Sequence, residues 1–142
     1  PPVDYLDVTE EWSFCYRKLR IAFDAVRSGG RLLTSTFGRY WKVGNKLIPG
    51  TGCWAKAVEF AAETKAITLG KPSDYMAKIV SQKLPDRKHT VLIGDEYDSD
   101  IVFGQKLGFQ TIFVRTGFDK DKTSTIRPDL SLDSVKDLLA FL

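Results

Sequence analysis

A chain of 142 residues with 43% hydrophobic and 27% charged residues can bury a core of its own and is neither disordered nor fibrous in composition. Its 21 basic and 18 acidic residues leave a net charge of +3, and the basic runs Arg17-Lys18 with Arg20 and Arg87-Lys88-His89 are short and not interleaved with aromatics, so nucleic-acid binding is not expected. No apolar run approaches the roughly 20 residues of a membrane span and no signal peptide opens the chain, which points to the cytoplasm, or to an organelle had a leader been removed.

In chain order, residues 3–8 read as a short strand. A helix follows over 14–26, with Leu19, Ala22, Phe23 and Val26 at helical spacing, and Gly29-Gly30 stops it. Residues 31–36 form a second strand candidate. The stretch 37–47 reads as a loop or hairpin anchored by Tyr40 and Trp41. An amphipathic helix is expected over 53–64 after Ile48-Pro49-Gly50-Thr51-Gly52, then a short strand over 66–69. Ser73 is placed to cap a helix over 74–83 through its hydroxyl. His89 to Ile93 is a near-continuous apolar run of the kind buried on both faces of a parallel sheet, ended by Gly94. A helix over about 100–107, Gly108, a strand over 111–115, a brief strand over 130–132 and a closing helix over 134–142 complete the series. Strands alternating with helices predict an α/β fold with a parallel sheet, and ligands in such sheets bind beyond the carboxyl ends of the strands. A shift in composition near Gly70 divides the chain into residues 1–69 and 70–142. Cys15 and Cys53 share no metal-ligand spacing and read as free thiols. His89 has no evident catalytic partner. The chain opens on Pro1-Pro2 rather than Met, which reads as a fragment or a processed form.

Two strand ends carry chemistry. Gly70-Lys71-Pro72-Ser73 places Lys71 at a strand-to-helix junction. Gly94-Asp95-Glu96-Tyr97-Asp98-Ser99-Asp100 places several carboxylates on one loop after a buried strand. Crowded negative charge is costly unless a cation or protons offset it. Magnesium is usually held by one or two carboxylates together with waters and substrate phosphate. Asp95, directly after the strand, suits a direct ligand. Asp100 suits either a water-mediated contact to the ion or acceptance of loop N–H groups. The plainer alternative, that Asp98, Ser99 and Asp100 cap the next helix, stands beside it. Lys71, on another strand of the same sheet, would stabilise a magnesium-bound phosphate as its charge redistributes during transfer; a solvated loop lysine is the alternative.

Gly-Lys-Pro-Ser, followed 24 residues later by Gly-Asp-x-x-x-x-Asp-Ile, resembles the third and fourth signature motifs of the haloacid dehalogenase superfamily. Flanking residues are similar to its branch of 4-nitrophenylphosphatases, phosphoglycolate phosphatases, pyridoxal phosphate phosphatases and NagD-type nucleotide phosphatases. These are Lys18-Leu19 with Ala22-Phe23-Asp24-Ala25, Arg39-Tyr40-Trp41, residues 47–52, Tyr75-Met76-Ala77-Lys78, Phe103-Gly104 and Thr116-Gly117. The resemblance runs from about Val3 to Leu142. It implies that residues 1–69 are most of an αβ cap and that 70–142 are the carboxyl-terminal half of a Rossmann-like core. It implies that Lys71 steadies nucleophile and phosphoryl group, that Asp95 and Asp100 serve magnesium, and that Ser35, Thr36 and Arg39 meet substrate. A small phosphorylated metabolite is the implied substrate and a homodimer through the cap the implied assembly.

Two departures accompany the match. The Asp-x-Asp motif whose first carboxylate attacks phosphorus in these enzymes precedes the cap and is not in this chain; Asp4-Tyr5-Leu6-Asp7 has the wrong spacing. The cap loop reads Thr34-Ser35-Thr36-Phe37-Gly38 where the branch usually shows Ala-Thr-Asn-x-Asp. Two readings follow: part of a magnesium-dependent phosphomonoesterase whose nucleophile lies elsewhere, this chain alone being inactive, or a non-catalytic relative serving as a binding module or subunit.

Overall fold

A computed structural model of the chain describes residues 2–141. It divides into two compact units, Pro1–Gly70 and Lys71–Leu142.

In the first unit, β1 (Tyr5–Val8), α1 (Tyr16–Arg27), β2 (Arg31–Thr34) and β5 (Ile67–Thr68) are joined through a hairpin, β3 (Tyr40–Val43) and β4 (Lys46–Pro49), and through α2 (Thr51–Ala62). The strands β1, β2 and β5 form one parallel sheet in that order, and the hairpin is a separate antiparallel pair. The helical spacing read in α1 brings Ala22 onto Leu32 and Val58, with Leu6, Val8, Leu19, Val26 and Ala66 packed around them. Gly29, at φ 106°, supplies the left-handed turn from α1 into β2. Helix α2 starts at Thr51, earlier than the expected 53. A Cβ at Gly52 would stand 2.5 Å from the Phe37 carbonyl oxygen, so this glycine permits a close approach within a helix rather than marking a loop.

Glu59 of α2 is buried, yet its carboxyl is held below the usual range: burial pushes it up, but Lys56 Nζ at 2.6 Å and the Ala66 N–H at 2.8 Å outweigh that. It straps the helix to the segment leading into β5. Because the folded value is depressed, its stabilisation is present above the ordinary carboxylate value and is lost as pH falls through the folded one. Glu59→Ala orphans the Ala66 N–H and is expected to cost about 1–3 kcal/mol. Glu59→Gln should abolish this part of the acid dependence, which urea melts at several pH values would show.

The second unit contains α3 (Asp74–Lys83), β6 (Val91–Gly94), a π-helical turn (Tyr97–Ile101), α4 (Val102–Leu107), β7 (Gln110–Val114), β8 (Leu130–Leu132) and a 3-10 helix over Val135–Phe141. Its sheet is parallel, in the order β6-β7-β8, with Gly94 opposite Phe113. Phe103, Leu107 and Phe109 form the core under Met76, Ala77, Val80 and Leu92. Ser73 caps α3 as expected, its Oγ accepting the Met76 N–H at 3.2 Å, and Gly108 ends α4 at φ 71°.

The alternation of strands and helices read from the sequence is thus an α/β fold, with six corrections. The strand before Lys71 belongs to the β1-β2-β5 sheet, not to the sheet carrying the acidic loop; the Leu69 and Gly70 N–H groups bond to the Thr34 and Ser35 carbonyls, which commits that segment to β2. The run from His89 begins its strand only at Val91, because Asp86 draws the His89 N–H and the Thr90 N–H bonds to Arg87 O in a turn. His89 also has a carboxylate partner, Asp86 Oδ2 at 2.8 Å from its Nδ1, on an exposed turn. β6 is an edge strand of its sheet and leaves Val91 and Ile93 exposed rather than buried on both faces. Tyr40 and Trp41, expected as anchors, are likewise exposed on the hairpin. The closing helix is 3-10 over its described length; Pro1 and Leu142, where the chain's opening and that helix's end were read, lie outside the described residues.

Candidate functional site

Because β6 and β7 are parallel neighbours, the segments leaving their carboxyl ends emerge at one edge of the sheet. Asp95 follows β6 directly. The π-helical turn that comes next, a rare geometry that recurs at functional sites, carries Asp98 and Asp100.

Asp100 organises this loop. Its buried carboxylate accepts the N–H groups of Asp95 at 3.1 Å and Glu96 at 3.2 Å through Oδ2, and Lys71 Nζ at 2.5 Å through Oδ1. Of the roles expected for Asp100, the acceptance of loop N–H groups is the one this geometry displays; it does not cap α4 with its side chain. A Cβ at Gly94 would collide with the Asp100 carboxylate, so the glycine read as a strand breaker makes room for that group. Lys71 reaches the loop from the segment before α3, ahead of a cis bond to Pro72.

Asp95 is gripped from the other side as well. Its Oδ2 accepts the Phe118 N–H at 2.6 Å and its carbonyl oxygen accepts the Asp119 N–H at 3.1 Å. Beside it, the Glu96 carboxyl is pushed above its ordinary value by burial and then by the charges of Asp100, Asp95 and Asp119, only partly relieved by Lys71. Asp95, Glu96, Asp98, Asp100 and Asp119 gather here against the ammonium groups of Lys71 and Lys122 alone, so carboxylates outnumber cations, which is the electrostatic condition for a bound cation. Among the described residues, no group of three or more His, Cys, Asp or Glu side chains is arranged to enclose a metal. Magnesium asks for less, one or two carboxylates and otherwise water or phosphate oxygens, and a half-buried Asp95 beside Glu96 fits that demand.

The structure thus brings Lys71, Asp95 and Asp100 together in the second unit. Ser35, Thr36 and Arg39 lie in the first, on and after the loop leaving β2. Ser35 and Arg39 are exposed, and the Thr36 Oγ1 accepts the Gly38 N–H at 3.1 Å, closing a local turn. Sequence reasoning missed Asp119 and Lys122. Asp119 Oδ2 accepts the Tyr97 N–H at 2.9 Å and Lys122 Nζ at 3.2 Å, and Lys122 also reaches Asp98 at 2.6 Å. The available signal was positional: this segment follows the strand paired with β6.

A family model of HAD-like hydrolases matches residues 68–138. Glycerol-3-phosphate phosphatase of Gallus gallus is 35% identical over 91% of this chain and 46% of that protein. Human chronophin is 34% identical over 75% of the chain and 37% of its own length. The chain spans about half or less of the length of these relatives. A solved p-nitrophenyl phosphatase from Archaeoglobus fulgidus superposes with a TM-score of 0.85 at 26% identity, covering 98% of this chain and 57% of that one.

Proposed function

The chain belongs to the HAD-like hydrolase family, its relatives being phosphatases, and on that premise we propose that it serves a magnesium-dependent phosphomonoesterase acting on small phosphorylated metabolites. In this reading the attacking aspartate comes from a segment outside this chain. Residues up to Gly70 act as cap and those beyond as the carboxyl-terminal part of the core, and the first relatives' names suggest a substrate such as a polyol phosphate. We further propose a homodimer through the cap and a cytoplasmic location; among the described residues no helix is long and apolar enough to cross a membrane.

The observation that carries this reading is Asp100, bonded on one side to Lys71 and on the other to the backbone of Asp95 and Glu96. It ties the Lys71 ammonium to the backbone at Asp95, and in this reading the Asp95 carboxylate and the ammonium serve one phosphate-binding locality. Asp95 would hold the ion, and Lys71 would steady the phosphoryl oxygens and the attacking carboxylate as charge shifts between them. When bound, magnesium would neutralise phosphate charge and orient the phosphoryl group for in-line attack. Asp100 keeps both groups oriented, so little reorganisation is needed during transfer. Ser35, Thr36 and Arg39 are the proposed cap contacts to the rest of the substrate.

The test uses the intact protein and 4-nitrophenyl phosphate. Lys71→Ala is expected to lower kcat by about 100-fold or more, by analogy with removing one preorganised stabilising donor. Asp95→Asn should remove the magnesium-dependent rise in Tm of this chain. Full turnover with Lys71→Ala would reject the role given to Lys71, and a magnesium response unchanged by Asp95→Asn would reject Asp95 as the ion's ligand. No turnover by the intact wild-type protein would reject the enzyme reading in favour of a non-catalytic binding module.

A further inference from the structure

The acidic loop is held from two sides, and the second hold has no counterpart in the motifs that identified the first. Phe118, Asp119 and Lys122 follow β7. They contribute the Phe118 N–H to Asp95 Oδ2, the Asp119 N–H to Asp95 O, the Asp119 carboxylate to the Tyr97 N–H, and the Lys122 ammonium to Asp98 and Asp119. Asp119 is 7% exposed, a carboxylate with little water of its own. A buried charge of this kind needs directed partners, and here they are one backbone N–H of the loop and one lysine. Its own segment is fixed in turn by the Lys122 N–H bonding to Asp119 O at 2.9 Å. The ring of Tyr97, whose amide Asp119 holds, stacks on Phe113 with centroids 4.1 Å apart, so the loop is clamped at the residue that begins its π-helical turn.

We propose that Asp119, braced by Lys122, is a positioning residue: it sets the orientation of Asp95 for magnesium from the β7 side, as Asp100 does from the α4 side. The proposal rests on the magnesium reading of the loop and extends it. Asp119 acts through Tyr97 and Asp95 and touches no reacting group. Lys122 has a defined part. It neutralises Asp98 and Asp119 on the outer rim, which leaves Asp95 and Glu96 as the carboxylates whose charge remains for a cation.

The test is a magnesium titration of the chain followed by Tm, with hydrogen exchange at the Tyr97 amide in magnesium-free buffer. Asp119→Ala and Asp119→Asn are compared with Asp121→Asn, which removes the same charge from an exposed neighbour. Groups that orient metal ligands typically cost 10–100-fold in metal affinity when removed. Accordingly the magnesium midpoint should rise about 10-fold or more in both Asp119 variants and stay unchanged in Asp121→Asn. The Tyr97 amide should exchange faster in Asp119→Ala. The asparagine variant keeps an acceptor oxygen for Tyr97, so it reads the charge and its hold on Lys122 even if the alanine variant does not fold. A wild-type midpoint in Asp119→Asn overturns the proposal while leaving the magnesium reading intact. A wild-type chain whose Tm ignores magnesium removes that reading, and this proposal with it.

Discussion

Replacing Asp100 with alanine should lower the stability of the Lys71–Leu142 unit by about 3 kcal/mol and disable the loop. Three bonds end on this carboxylate, from the Asp95 and Glu96 amides and from Lys71. Two are backbone donors in a partly buried loop, and each donor left without an acceptor costs about 1–3 kcal/mol. Lys71 adds little to the loss, since its side chain is 48% exposed and regains water on release. Asp100→Asn retains one acceptor oxygen and should lose roughly half as much. The measurement must follow the second unit specifically. All three tryptophans, Trp12, Trp41 and Trp54, lie in the first, so hydrogen exchange of the β6 and β7 amides is the suitable probe. An Asp100→Ala chain with unchanged exchange at Asp95 and Glu96 would refute the claim that this carboxylate shapes the loop.

The sequence made Asp95, Asp100 and Lys71 visible for a local reason: glycine, strand end and clustered carboxylates occur within a few residues of one another. Capping by Ser73 and termination at Gly108 were legible on the same grounds. Sheet membership was not. A strand as short as Ile67–Thr68 has no periodicity to read, and whether it pairs with β2 or with the strand before the acidic loop is decided by which distant carbonyls its amides reach. The same limit hid Asp119. Its bond to Tyr97 spans 22 residues and exists because β6 and β7 run parallel side by side, so that the two loops after them meet. Apolarity misled in a further way. Val91 and Ile93 are expected to be buried, and Tyr40 and Trp41 to anchor the hairpin, from residue type alone, but exposure depends on what covers a face, and the face of β6 that Val91 and Ile93 share is left open.

Glycine 117 gives the sharpest test of where Asp95 must sit. A Cβ built on this residue would overlap the Asp95 carboxylate at its Oδ2, Cγ and Cβ atoms. The residue is not in the left-handed region, so alanine meets no backbone objection and the conflict is steric alone. Gly117→Ala must therefore displace the carboxylate, which breaks its 2.6 Å bond from the Phe118 N–H. Forced repacking of this kind costs about 1–3 kcal/mol. The functional effect should exceed the structural one. With Asp95 moved, the magnesium-dependent rise in Tm should vanish and turnover by the intact protein should fall with it, although every carboxylate is still present. Gly38→Ala is the control, since its nearest contact would be an ordinary 3.6 Å to Thr36 Oγ1. Asp95→Asn removes charge and keeps shape, whereas Gly117→Ala keeps charge and removes position. If only the first abolishes the magnesium response, net charge suffices and the geometry of the loop is incidental. If both do, the placement of Asp95 against Gly117 is itself what makes the loop a metal site.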